Sequence, residues 1–224
     1  MRTFKSLTAA FALALVAAPQ YALAQKHPEQ LNVNAQLIAA ARGGSEPAVR
    51  ALLDQGANPN SRNRLGDTPL NTAARSGNLP MAKTLLERGA DVNQANLSGV
   101  TPLMSAAYGG NVEIVRLLIA AKADTKPVDR VRKTAPVYAA GEGKTDALLV
   151  LLDSGVDVNQ RYDNELTLLM WAAGQGHEET VKALLARGAD VTLKDNRGKT
   201  ALAIASESGH PRVVTVLRTA GAAE

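Results

Sequence analysis

The chain has 224 residues and a formal net charge of +4, with 46% hydrophobic residues but only 3% aromatic ones. Alanine and leucine therefore supply most of the apolar side chains, which favours small, closely packed helices over a β-sandwich of large side chains. The absence of cysteine excludes disulfides, a thiolate metal site and a cysteine nucleophile.

The N-terminal residues have the order of a secretory signal. Two basic residues come first, residues 7–18 are uncharged, Pro19 follows, and the small residues Ala22 and Ala24 precede Gln25. This order predicts a signal peptide over residues 1–24, cleaved after Ala24. The mature protein is then periplasmic or secreted, and we prefer the periplasm.

A retained membrane anchor is the alternative interpretation of this segment. A spanning helix needs about 20 consecutive apolar residues, and the uncharged stretch is shorter and ends at Pro19. Cleavage leaves residues 25–34 as a mature N-terminal segment and reduces the basic residues from 25 to 23, against 21 acidic ones. Because the mature chain is nearly neutral, we expect no nucleic-acid partner. Because cleavage removes the apolar segment, we also expect no stable membrane insertion of the mature protein.

A unit of 33 residues recurs through the rest of the chain without insertion or deletion. The first five units contain an Ala-Ala pair, and all but the first open with threonine. The six units begin at residues 35, 68, 101, 134, 167 and 200 and predict a repeat domain over residues 35–224.

Each unit has the start and stop signals of two short helices. Thr68 is expected to cap the first helix and Pro69 to occupy its first position. Gly77 ends that helix, where a left-handed residue is commonly needed, and a second apolar helix follows. A single pair cannot bury its apolar face, so the units predict an all-α solenoid of stacked helix–turn–helix pairs.

Several segments resemble the ankyrin repeat, among them Thr101-Pro102-Leu103, Ala106-Ala107, Gly110-Asn111 and Gly89-Ala90-Asp91-Val92-Asn93. The resemblance implies projecting β-hairpin loops and a concave face that binds other proteins. One feature departs from the family: the histidine that usually follows Thr-Pro-Leu is replaced in every unit. The departure implies that the inter-repeat hydrogen bonds of that histidine are absent. The replacements are Asn71, Met104, Val137, Met170 and Ala203.

No motif for catalysis is present. Gly143-Lys144-Thr145 resembles the end of a phosphate-binding loop, but position 138, where that loop needs glycine, is tyrosine. His177 and His210 lie one repeat apart and are interpreted as solvated turn residues. A two-histidine metal site is the alternative, although zinc usually takes three or four ligands. We predict no enzyme activity, catalytic residue, metal or cofactor.

By resemblance, a partner contacts the hairpin tips and the exposed faces of the first helices. The connecting segments hold nine basic and five acidic residues, as an acidic partner surface would require; ordinary solvated, charged loops are the alternative. Three aromatic residues are candidate anchors or packing residues, and Tyr138 and Trp171 are expected to stack because they share a register. The predicted contact residues are Arg62, Arg64, Leu65, Arg75, Leu97, Tyr108, Arg130, Val131, Lys133, Tyr138, Arg161, Asn164, Trp171, Arg197 and Lys199.

The junction of the third and fourth units breaks the repeat pattern. Lys122 and Arg132 replace glycines, Lys126 replaces the usual asparagine, and Pro136 replaces a core leucine. A non-glycine residue in a left-handed turn costs about 1 kcal/mol. This junction is predicted to be a weak seam or a specialised binding segment, with sequence drift as the alternative.

These features predict a monomeric, non-catalytic scaffold that binds another protein in the cell envelope. The alternative is a chaperone-like or envelope-assembly factor with several weak clients.

Overall fold

The computed structural model describes residues 32–222, so the predicted signal peptide over residues 1–24 and His27 lie outside the described part. Twelve α-helices and one short 3-10 helix, Asp163–Glu165, occur within residues 32–222, without a β-strand. Helix α1 already includes residues 32–34. The helices are α1 (32–42), α2 (Glu46–Asp54), α3 (Pro69–Ser76), α4 (Leu79–Glu87), α5 (Pro102–Gly109), α6 (Val112–Ala120), α7 (Ala135–Gly141), α8 (Thr145–Asp153), α9 (Leu168–Gly174), α10 (Glu178–Ala186), α11 (Ala201–Glu207) and α12 (Pro211–Thr219).

The predicted start and stop signals bound the helices. The Thr68 side chain accepts a hydrogen bond from the backbone N–H of Asn71, and Pro69 occupies the first turn of α3. Gly77 ends α3 with a φ of 73°. Because a β-carbon is unfavourable in this left-handed conformation, glycine is the residue that the turn needs.

Each repeat packs its two helices against those of the neighbouring repeats. The first helices of repeats 2 to 6 form one row from α3 to α11, and the even-numbered helices form a second row behind it. The Ala-Ala pairs of repeats 2 to 5 are fully buried in the first row, where their small side chains let the helices approach closely. Leucines such as Leu85, Leu118 and Leu151 fill the space between the rows. The predicted all-α solenoid is confirmed.

Five loops project between successive repeats. We name them loop 1 (62–67), loop 2 (95–100), loop 3 (128–133), loop 4 (161–166) and loop 5 (194–199). Each contains two or three backbone hydrogen bonds, such as those from Asn63 N to Asp67 O at 3.0 Å and from Gly66 N to Asn63 O at 2.9 Å. So few bonds do not make a ladder, so the predicted β-hairpins are hairpin-shaped loops without strands.

Asn71 corrects one implication of the resemblance. Its side-chain nitrogen donates to the carbonyl of Val100 at 3.3 Å, and its oxygen accepts from the backbone N–H of Thr68 at 3.0 Å. An amide carries both a donor and an acceptor, as a neutral imidazole does. The bond from the helix start to the next loop is therefore kept at this repeat.

The two turn histidines also differ from the prediction. Both are half-buried, and their Nε2 atoms lie 2.9 Å (His177) and 3.1 Å (His210) from the carbonyl oxygens of Gly141 and Gly174. The prediction of solvated turn residues is therefore wrong, because each histidine joins its repeat to the preceding one. Within residues 32–222, no group of three or more His, Cys, Asp or Glu residues could hold a metal ion.

None of the helices in the described part combines the length and the apolar character needed to cross a membrane.

Candidate protein-binding surface

Large exposed hydrophobic side chains are confined to one half of the array. Within residues 32–222 they are Leu65, Leu97, Val128 and Val131 on loops 1 to 3, and Tyr108 at the end of α5. Their exposed fractions run from 51% for Tyr108 to 67% for Leu65. Clustered apolar exposure of this kind marks an interaction surface more often than isolated exposed residues do.

The basic residues of loops 4 and 5 are largely paired with acids. Arg161 contacts Glu165 at 2.8 Å, Arg197 contacts Asp195 at 2.7 Å, and Lys199 contacts Glu207. Asp195 is buried, which would by itself raise its pKa. Hydrogen bonds from the backbone N–H of Lys199 and from the Arg197 side chain outweigh burial and lower it. These three predicted contact residues therefore have much of their charge compensated within the chain.

The basic residues of loops 1 to 3 are less compensated. Arg64 and Arg130 are exposed and have no acidic partner among the described residues. Arg62 faces the side-chain amide of Gln94, whose oxygen, turned towards it, accepts at 2.9 Å. Arg132 is the exception, with Asp163 at 2.7 Å. The predicted positive line of loop tips is thus concentrated on Arg62, Arg64 and Arg130.

The aromatic candidates form a cluster around Lys133. The rings of Tyr108 and Tyr138 meet edge to face with centroids 5.7 Å apart. The Lys133 ammonium lies 5.3 Å from the Tyr138 centroid and 5.0 Å from that of Trp171. The described residues contain no ring contact between Tyr138 and Trp171, so the predicted stacking is wrong.

Tyr138 has a structural partner. Its hydroxyl donates to the buried carboxylate of Asp129, whose other oxygen accepts from the backbone N–H groups of Val131 and Lys133. Burial and this carboxylate raise the pKa of Tyr138, which therefore keeps its proton. Trp171 is half-buried, with its Nε1 enclosed and unpartnered. Only Tyr108 of the three aromatics presents most of a ring to solvent.

Arg75, the predicted contact residue on α3, pairs with Asp67 at 3.0 Å. Burial would raise the pKa of Asp67, but hydrogen bonds from Asn96 and Arg75 outweigh it and the pKa is lowered. Since Asp67 belongs to loop 1 and Asn96 to loop 2, this carboxylate fixes the spacing of two loops.

Loop 4 has a different conformation from the others, which the sequence analysis missed. Asn164 and Glu165 both have positive φ, 57° and 58°. In the other loops an Asn or Asp side chain binds two backbone N–H groups, as Asn63 does with Leu65 and Asp67. Tyr162 stands at that position in loop 4 and cannot do so. Two features of the sequence could have predicted this difference: Tyr162 at the Asn/Asp position and Glu165 where the other loops, except loop 3, have glycine.

The chain matches a family model described as "Ankyrin repeats (3 copies)" over residues 17–96, 93–162 and 137–223. The chain belongs to the ankyrin-repeat family. Ankyrin repeats are generally protein–protein interaction modules, and the family is typically non-catalytic.

Two solved structures resemble this ankyrin array. The human ASB11 ankyrin repeat domain is 28% identical with a TM-score of 0.77, and the match covers 84% of each chain. EF0377, an ankyrin repeat protein, is 30% identical with a TM-score of 0.73, and the match covers 83% of this chain and 97% of that one. No curated protein sequence matches the chain.

Proposed function

We propose that this ankyrin array is a non-catalytic scaffold of the cell envelope that binds another protein through its loop tips and the exposed face of its first helices. The coincidence of exposed aliphatic tips with uncompensated arginines supports the proposal most directly. Stacked helices and hydrogen bonds between loops hold the loop backbones in place, so little backbone conformational entropy is lost on binding.

The envelope location rests on the signal-like order of residues 1–24. We expect the mature protein to begin at Gln25 and to be released with the periplasmic contents or into the medium. Fractionation of the source cells followed by N-terminal sequencing tests this. A chain that starts at Met1 and remains with the cytoplasm contradicts the location without touching the binding function.

A second candidate is a chaperone-like factor with several weak clients, because exposed aliphatic tips such as Leu65 and Val131 also suit unfolded chains. The two candidates differ in stoichiometry and salt dependence. A single partner gives saturable binding that weakens with salt, whereas capture of unfolded chains is broad and insensitive to salt.

The experiment immobilises the protein and passes native extract of the source organism over it at low and high salt. Proteins retained reproducibly are then titrated as purified solutions. One or two saturable partners support the scaffold, and a diffuse set retained equally at both salt concentrations favours the chaperone-like candidate. Retention of nothing above a bare matrix contradicts both.

A further inference from the structure

Loops 1 and 3 present the same pair of side chains at the same register. Arg64 and Arg130 are equivalent positions two repeats apart, and each is followed by an exposed aliphatic residue, Leu65 and Val131. Leu97 occupies the same register on loop 2, exposed by 56%. This register therefore holds a basic, an apolar and a basic side chain along loops 1, 2 and 3, and we call these positions a row. It continues on loop 4 with Asp163, which is already paired with Arg132.

Backbone hydrogen bonds fix this row. Leu97 N donates to Leu65 O at 3.0 Å, and Arg130 N donates to Ser98 O at 2.9 Å. Gly66 is held against loop 2, since a β-carbon there would lie 2.7 Å from Leu97 N. The three loops thus form one continuous edge rather than three independent tips.

From this juxtaposition we propose that the partner docks on loops 1 to 3 and Tyr108 with a protein segment that places an apolar side chain between two carboxylates. We name this surface the loop 1–3 face and define it by Arg64, Leu65, Leu97, Tyr108, Arg130 and Val131. The inference rests on the proposed binding function and specifies the chemistry of the partner.

Each element of the face has a matching group on such a segment. A guanidinium without an acidic partner can bind a carboxylate through two parallel hydrogen bonds. Leu97 lies between the two arginines and offers aliphatic surface, whose burial contributes about 25 cal/mol per Å². Tyr108 adds a ring that can be buried at little cost in side-chain entropy.

Two other occupants fit less well. Attraction to an anionic membrane contributes about 1 kcal/mol per basic residue, and stable anchoring needs more than a few such residues. A second copy of the chain would have to supply acidic tips. Its loop 4 acids, Asp163 and Glu165, are already paired with Arg132 and Arg161.

The probe is a displayed library of random 12-residue peptides, selected on protein produced from the full-length sequence. The Arg64→Ser/Arg130→Ser variant removes the two arginines of the face. The Lys83→Ser/Arg116→Ser variant is the matched control, since it changes the net charge equally at exposed positions of the second helices α4 and α6, outside the loops and the first helices. A third arm measures sedimentation with phosphatidylglycerol vesicles.

We expect selected peptides to be enriched in Asp and Glu flanking Leu, Ile, Val or Phe. Their affinity falls about 10-fold or more in the Arg64/Arg130 variant and stays within about twofold in the control. The inference is overturned if no peptide is enriched, if enriched peptides lack the acidic excess, or if both variants lose affinity alike. Vesicle binding that depends on Arg64 and Arg130, without peptide selection, overturns it in favour of a membrane.

The proposed function has a separate outcome. If the extract experiment yields a saturable partner that both variants retain equally, the scaffold stands and the loop 1–3 face is wrong. If the extract yields no partner while acidic–apolar peptides bind as expected, the face stands as a peptide site and the scaffold does not.

Discussion

The junctions on either side of the fourth repeat are packed alike but connected differently. Between repeats 4 and 5, His177 binds the carbonyl of Gly141, Asn159 binds Gly188 O and Asp190 N, and Arg187 pairs with Asp153. Between repeats 3 and 4, residues 32–222 contain the Arg132–Asp163 ion pair and the shorter-range hydrogen bond from Tyr138 to Asp129, but no bond equivalent to those of His177, Asn159 or Arg187.

The residues at equivalent positions explain the difference. Lys144 stands where the next repeat has His177, Lys126 where it has Asn159, and Ser154 where it has Arg187. The junction of repeats 5 and 6 also has few such bonds within residues 32–222, among them that between His210 Nε2 and the carbonyl oxygen of Gly174. The comparison teaches that an unbroken apolar core does not make a uniform solenoid. Since each repeat touches only its neighbours, polar bonds missing at one junction weaken the array locally.

The largest effect is expected for His177→Ala. This change leaves the carbonyl of Gly141 without its side-chain donor and should lower the opening free energy of the junction between repeats 4 and 5 by about 1–3 kcal/mol. Native-state hydrogen exchange should then show the array opening on both sides of repeat 4. Lys144→Ala is the matched control at the junction of repeats 3 and 4 and should change little, because the Lys144 side chain makes no hydrogen bond or ion pair there among the described residues. An equal fall in both variants contradicts the comparison.

A smaller gain is expected for Lys122→Gly. Lys122 lies just after α6, the second helix of the third repeat, with a φ of 63°, so glycine should raise the free energy of unfolding by about 1 kcal/mol. Urea denaturation measures it. Lys122→Ala keeps the β-carbon and should gain nothing, so a gain in both variants would assign the effect to lost charge instead.

The hydrogen bonds that Asn159 makes to repeat 5 can be tested by exchanging asparagine and lysine between the two junctions. Lys126→Asn should add about 0.5–1 kcal/mol between repeats 3 and 4, by giving the backbone N–H of Asp157 the acceptor that Asn93 gives Asp124 at 2.9 Å. Asn159→Lys should remove a similar amount between repeats 4 and 5. Hydrogen exchange of the flanking repeats checks both. Stability changes of opposite sign in the two variants support the difference between the junctions, and two changes near zero contradict it.

The smallest effect is expected from acid, at the other end of the array. The folded pKa of Asp67 lies below its ordinary value of 3.8. Its stabilising contribution is therefore present above about pH 4 and lost as the pH falls through the folded pKa. Asp67→Asn should destabilise the protein more at about pH 7 than at about pH 3. Chemical denaturation at both values tests this, and a pH-independent difference contradicts it.

Much of the fold could be predicted from single residues and their period. Thr68, Pro69 and Gly77 have local conformational preferences, so they locate helix ends without knowledge of the rest of the chain. The irregular junction of repeats 3 and 4 was also visible, because Lys122 and Arg132 stand where the period requires glycine. The structure confirms the positive φ of both, 63° and 60°.

The candidate surface was harder to predict because it depends on which charges meet. Arg197 pairs two residues back, Arg161 four residues on and Arg132 across to the next loop. These pairs share no common sequence spacing, so the sequence alone could not separate paired from unpaired residues among the nine basic residues of the connecting segments. The inter-repeat bond of Asn71 was missed for a different reason. The sequence shows only that asparagine replaces histidine, and not that its amide reaches the carbonyl of Val100.

Trp171 gives the array a built-in optical reporter. It is the single tryptophan of the 224 residues, and its ring lies beside the ammonium of Lys133, which belongs to loop 3. Trp171 belongs to repeat 5, so separation at either junction of repeat 4 moves that cation away from the indole and should change the intensity of its emission. Opening on either side of repeat 4 can thus be followed in unlabelled protein by its own fluorescence, on the timescale of a stopped-flow or temperature-jump experiment.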